Sequence, residues 1–156
     1  MDVTPPTDSL NYIKEVFQYI KTNIKWDGTY SMYASHDFDE VLKKKEGSSG
    51  EMNLLLLNVL RKAGFKANPV LIRTSNLGRI ENLYPEKDQF NHVIVQVELN
   101  GRTMYLDATG PSNSLALPAN VIHTVGWLLK EQGFKWVEVE DSTPTNIVTP
   151  ATFQQT

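Results

Sequence analysis

The chain has 156 residues, 40% of them hydrophobic, enough for one domain with its own core. Its net charge of −3 argues against a nucleic-acid partner, and the absence of cysteine removes disulfides, thiolate metal sites and thiol catalysis together. No apolar run approaches the roughly 20 residues that cross a bilayer, so no membrane insertion is expected.

Residues 1–8 are polar and proline-rich; they read as an N-terminal tail and lack the pattern of a signal peptide. Thr7-Asp8-Ser9 can cap a helix whose apolar residues Ile13, Val16, Phe17, Ile20 and Ile24 recur at helical spacing. Trp26-Asp27-Gly28 reads as the turn that ends it. A loop with Tyr30 and Tyr33 leads to a short helix from about Asp37 to Lys45, which Gly47 is expected to stop. Lys43-Lys44-Lys45 suits the negative pole of that helix and needs no ligand. His36 and His123 match no ligand spacing, so neither a metal nor any other cofactor is expected.

Ser48-Ser49-Gly50-Glu51 has the form of a capping box, in which a serine side chain and a glutamate three residues later satisfy free N–H groups reciprocally. In the helix it opens, four consecutive leucines, Leu54 to Leu57, cover every side, so this helix should be central and buried. Arg61, Lys62 and Gly64 suit its end. Pro69 to Arg73 reads as a strand, and Thr74 to Gln89 as an irregular excursion.

Asn100-Gly101 between alternating apolar residues is a strong hairpin signal, because both residues tolerate the positive φ of a type I′ turn. With those two as the loop, 99 pairs with 102, 97 with 104 and 95 with 106. His92 and Asp107 then fall on one face as diagonal neighbours, about 7–8 Å apart at the backbone and within side-chain reach. An imidazole beside a carboxylate is the pair that orients a histidine for acid–base work. Pro111 to Pro118 reads as a loop. Val125 to Leu129 and Phe134 to Val139, around Gln132-Gly133, read as a last hairpin. Residues 141–156, rich in Thr, Pro, Ser and Gln, read as a tail or linker. Helices first and mostly antiparallel strands later give an α+β fold for residues 9–140.

The run Gly47 to Phe65, then Phe90-Asn91-His92-Val93-Ile94, then Tyr105-Leu106-Asp107-Ala108-Thr109 resembles the transglutaminase-like superfamily core, a papain-like, cysteine-protease-like fold. The resemblance implies N-terminal helices with a central buried helix packed on a mostly antiparallel sheet. In that family a cysteine at the start of the central helix is the nucleophile, and His and Asp come from adjacent strands. Carried over, the nucleophile position falls on Ser49, the general base on His92 and the orienting carboxylate on Asp107. Glu51 takes the place of an acidic residue common two positions after the nucleophile. Trp26 falls upstream, where some relatives place an aromatic beside the oxyanion site. Trp26, Tyr30 and Tyr33 are the candidate lining of a binding groove.

A hydroxyl gains far less than a thiol from a helix N-terminus. It needs an aligned base at about 2.6–3.2 Å and a preformed oxyanion hole. The first expectation is therefore a degenerate triad: a pseudoenzyme module of a larger bacterial-type envelope or secreted protein, either structural or binding a peptide or polymer in the cleft. The alternative is a serine-dependent amidase, acyltransferase or hydrolase using Ser49, His92 and Asp107. A purely structural linker domain differs from the binding module in whether the groove is open or filled by the chain itself. The resemblance implies flanking domains and a periplasmic or extracellular location.

Overall fold

The computed structural model describes residues 7–80, 87–110 and 115–141; most of both expected tails, and parts of the 74–89 and 111–118 stretches, lie outside the described residues. The first helix, α1 (Ser9–Asn23), starts at Asp8, whose carboxylate accepts the Asn11 N–H at 3.4 Å, and it buries Ile13, Phe17 and Ile20. The chain leaving α1 does not form a free turn. Lys25–Trp26 (β1) pairs in parallel with Glu46–Gly47 (β2), with Lys25 N–H donating to Lys45 O and Asp27 N–H to Gly47 O, each at 2.9 Å.

Between these two short strands lies α2 (Phe38–Lys44), which ends earlier than Gly47. Lys45 itself adopts the left-handed conformation, φ 59°, and its N–H closes the last turn on Val41 O. Gly47 is glycine for a different reason: a Cβ there would stand 3.1 Å from Val41 Cγ1 and 3.2 Å from Glu51 Oε1.

The capping box forms at the start of α3 (Ser49–Lys62). Ser48 Oγ accepts the Glu51 N–H at 3.2 Å, and Glu51 Oε1 accepts the Ser48 N–H at 3.0 Å. Leu55, Leu56, Leu57 and Leu60 are buried because the helix packs against α1 and α2 on one side and a sheet on the other.

That sheet has five strands, β3 (Lys66–Ile72), β4 (His92–Leu99), β5 (Arg102–Leu106), β6 (Val125–Lys130) and β7 (Gly133–Glu138). Their order is β5-β4-β3-β6-β7, and every neighbouring pair is antiparallel. Asn100 and Gly101 have φ of 53° and 78°, as a type I′ turn requires, and the register pairs Leu99 with Arg102, Val97 with Met104 and Val95 with Leu106.

Alternation along β4 and β5 divides the apolar residues between two cores. Val95, Val97, Met104 and Leu106 pack with α1 and α3, whereas Ile94 and Tyr105 join Val70, Ile72 and Leu128 beneath Leu117 and Val121. Gly126 in β6 lies tight against β3: a Cβ would sit 2.4 Å from Val70 Cγ1 and 3.1 Å from Ile72 Cγ2, both in fully buried side chains. Gly126→Ala should overpack this core and cost about 1–3 kcal/mol, read as a lower urea midpoint at unchanged m-value. An unchanged midpoint would mean that β3 and β6 are not closely apposed.

Candidate functional site

His92 opens β4 and Asp107 follows the last residue of β5, so the type I′ register brings the two ends together. His92 Nε2 lies 2.7 Å from Asp107 Oδ2, and neither side chain is exposed to solvent. Burial works against the ionised carboxyl of Asp107. The opposing influences prevail: the charge and hydrogen bond of His92, the Asn53 amide and the Thr109 N–H together hold its pKa down to about 2. Asp107 Oδ1 accepts from Asn53 Nδ2 at 3.0 Å and from Thr109 N and Oγ1 at 3.0 and 2.7 Å. Lys21 Nζ donates to Gly110 O nearby; burial lowers the lysine pKa, and the charge of Asp107 works the other way.

Asn53 carries no motif that marks it in the sequence. It is fully buried in α3, one turn after Ser49 and on the same helix face. Its Nδ2 also donates to Val93 O at 2.9 Å, and its Oδ1 accepts the Ala108 N–H at 2.8 Å. One carboxamide thus ties the helix to both strands of the hairpin. The available hint is a lone asparagine between Met52 and the leucine run, where an unpaired polar side chain would be costly.

Ser49 is also fully buried, at the first turn of α3. Its hydroxyl does not reach a base. It accepts the Ser31 N–H at 2.7 Å and donates to Ser31 O at 3.2 Å, while His92 Nδ1 is buried with no hydrogen-bond partner. The Ser49 N–H donates to Thr29 O at 2.9 Å, and the Trp26 indole N–H donates to the same oxygen, also at 2.9 Å. Two convergent N–H donors at that distance have the geometry of an oxyanion hole, and here a carbonyl of the chain fills it.

The groove expected between Ser49 and the sheet is therefore filled by main chain, a strap over residues 29–33. Trp26 and Tyr30 are half-buried and in ring contact at 5.1 Å, and Tyr30 meets His92 edge-on at 5.0 Å. Tyr33, in contrast, is 58% exposed. Its backbone comes so close to the helix that a Cβ on Gly50 would stand 2.3 Å from Tyr33 O and 2.9 Å from Ser31 O. Only glycine fits under the strap. His36 lies before α2, where both its N–H and Nδ1 reach Glu51 Oε2, at 2.8 and 2.7 Å. Desolvation of Glu51 is outweighed by hydrogen bonds from Ser48 and His36, so its pKa is lowered. Among the described residues no cluster of His, Asp and Glu could hold a metal.

Residues 2–140 match the family model of the transglutaminase-like superfamily core. The chain belongs to that superfamily. It is a member without cysteine, so the thiol nucleophile is absent. Among solved structures, a candidate protease from Parabacteroides distasonis ATCC 8503 superimposes with a TM-score of 0.61 at 17% identity, over 85% of this chain and 25% of that one. The transglutaminase-like chain thus spans about a quarter of that protein's length. Arylamine N-acetyltransferase from Salmonella typhimurium aligns at a TM-score of 0.41 and 13% identity, over 87% of this chain and 66% of that one. No curated protein matches the sequence.

Two measurements test the buried network. Asn53→Ala strands the Val93 carbonyl and the Ala108 N–H, so it should cost about 3 kcal/mol in urea unfolding, with near-wild-type stability excluding the tie. For Asp107 the folded pKa of about 2 lies below the ordinary 3.8. Its contribution, about 2 kcal/mol, is fully present above about pH 4 and is lost as pH falls through about 2. Asp107→Asn should therefore flatten the acid limb of stability against pH between about 4 and 2; parallel curves for the two proteins would contradict an ionised Asp107.

Proposed function

We propose that this transglutaminase-like domain performs no acyl transfer through Ser49 and serves as a ligand-binding module of a larger protein. The observation that carries the reading is the state of the Ser49 hydroxyl. Nucleophilic attack by serine requires its proton to pass to a base within hydrogen-bond reach. Both hydrogen-bonding directions of Ser49 Oγ are engaged by Ser31, and His92 Nδ1 has no partner. A helix N-terminus polarises a hydroxyl too little to replace that base.

Binding is supported by groups suited to an acyl or amide carbonyl: the convergent N–H groups of Ser49 and Trp26, with Tyr30 against His92 beside them. The larger protein is supported by the quarter share that the domain covers of the Parabacteroides candidate protease. Flanking domains and a periplasmic or extracellular setting are part of this proposal.

The serine-hydrolase alternative is tested by a serine-directed fluorophosphonate. The native chain should remain unlabelled at millimolar probe while a serine hydrolase control is labelled fully. Labelling that disappears in both Ser49→Ala and His92→Ala would overturn the non-catalytic reading.

A further inference from the structure

Building on that reading, we infer that the strap Thr29-Tyr30-Ser31 is an internal pseudo-ligand, and that the site takes an extended peptide main chain in its place. The strap presents a carbonyl at Thr29 to the Trp26 and Ser49 N–H groups, then an N–H at Ser31 to Ser49 Oγ. An acceptor followed two residues on by a donor is how an extended backbone addresses a partner, and here the occupant is itself peptide. The binding groups are thus complementary to main chain rather than to one side chain.

Two side-chain tethers hold the strap in addition to these groups. Asn120 Nδ2 donates to the Tyr30 hydroxyl at 2.6 Å, and His36 is held by Glu51 at the far end. Releasing it would uncover the carbonyl site and His92 Nδ1, a buried nitrogen without a partner. A closed strap lowers apparent affinity in proportion to the fraction of molecules that are open.

Because the chain has no cysteine, Ser49→Cys introduces a single reporter thiol. In that protein iodoacetamide should alkylate the thiol introduced at position 49 at least about 100-fold more slowly than a free thiol, as a closed site dictates. Adding Asn120→Ala and His36→Ala should accelerate alkylation on the order of ten- to thirtyfold, what the loss of two side-chain hydrogen bonds gives while the main-chain N–H of residue 36 still reaches Glu51. A capped peptide of the strap's own sequence, acetyl-Asp-Gly-Thr-Tyr-Ser-Met-Tyr-amide, should then protect the thiol in this loosened protein.

A thiol is bulkier than the hydroxyl it replaces, so amide hydrogen exchange on the serine-bearing chain gives an independent reading. Exchange at Ser49 and Ser31 should quicken by a similar factor in Asn120→Ala/His36→Ala while the β4 amides stay protected. Free-thiol alkylation, or exchange indifferent to the tethers, would overturn the strap. Acceleration without protection by the peptide would overturn the main-chain ligand. Neither result depends on fluorophosphonate labelling, which alone bears on the absence of catalysis.

Discussion

The Asn53 carboxamide sets where the start of α3 stands relative to the β4–β5 hairpin. A neutral amide with no solvent contact is tolerated in a leucine helix only when its donors and acceptor find partners. Asn53 achieves this with Val93 O, Asp107 Oδ1 and the Ala108 N–H, one on β4 and two where the chain leaves β5. Apolar packing would let the helix slide along the sheet by fractions of an ångström at little cost. Three directed hydrogen bonds do not. Ser49 lies one turn away on the same helix face, so its position relative to His92 follows from this tie.

The serine at position 49 matters for its hydrogen bonding as well as for its weak nucleophilicity. A hydroxyl is a far better hydrogen-bond partner than a thiol, which donates and accepts only weakly. Ser49 Oγ takes both polar groups of Ser31's main chain, and Gly50 allows the strap to approach the helix without a Cβ in the way. Ser49 thus adds to a closure that the Thr29 carbonyl already makes with the main-chain N–H of residue 49 and the Trp26 indole. Glu51 supports the same closure from below, since one carboxylate serves the capping box through Oε1 and His36 through Oε2.

Local chemistry in the sequence made much of this fold legible. Asn100-Gly101 dictated the turn, the turn dictated the register, and the register brought His92 to Asp107. The capping box and leucine run marked α3 for the same reason: each is decided within a few residues. Contacts between distant segments were not legible. Trp26 reads as part of the turn that ends a helix until Glu46–Gly47 supplies Lys25–Trp26 with its parallel partner. Gly47 looks like a helix stop because its packing against Val41 and Glu51 is invisible in one dimension. The strap and Asn53 belong to the same class, since nothing in the pattern near Thr29 or Ser31 announces a hydrogen bond to Ser49.

The unpaired nitrogen of His92 weighs against a purely structural role for the site. A His–Asp pair used only to join two strands must bear the desolvation of both groups, and apolar side chains of similar volume commonly do as well or better. Here the cost is higher still, because Nδ1 is buried with no partner, and an unsatisfied buried polar atom forfeits about 1–3 kcal/mol. Nε2 is already saturated by Asp107, so the pair is not merely mispositioned. Beside it, Trp26 and Ser49 spend two good donors on one carbonyl of an exposed loop residue, Thr29. A scaffold that needed only rigidity would gain by filling this space with hydrocarbon. A site that exchanges an internal peptide for an external one needs donors already oriented on a main-chain carbonyl, beside a buried nitrogen left without a partner.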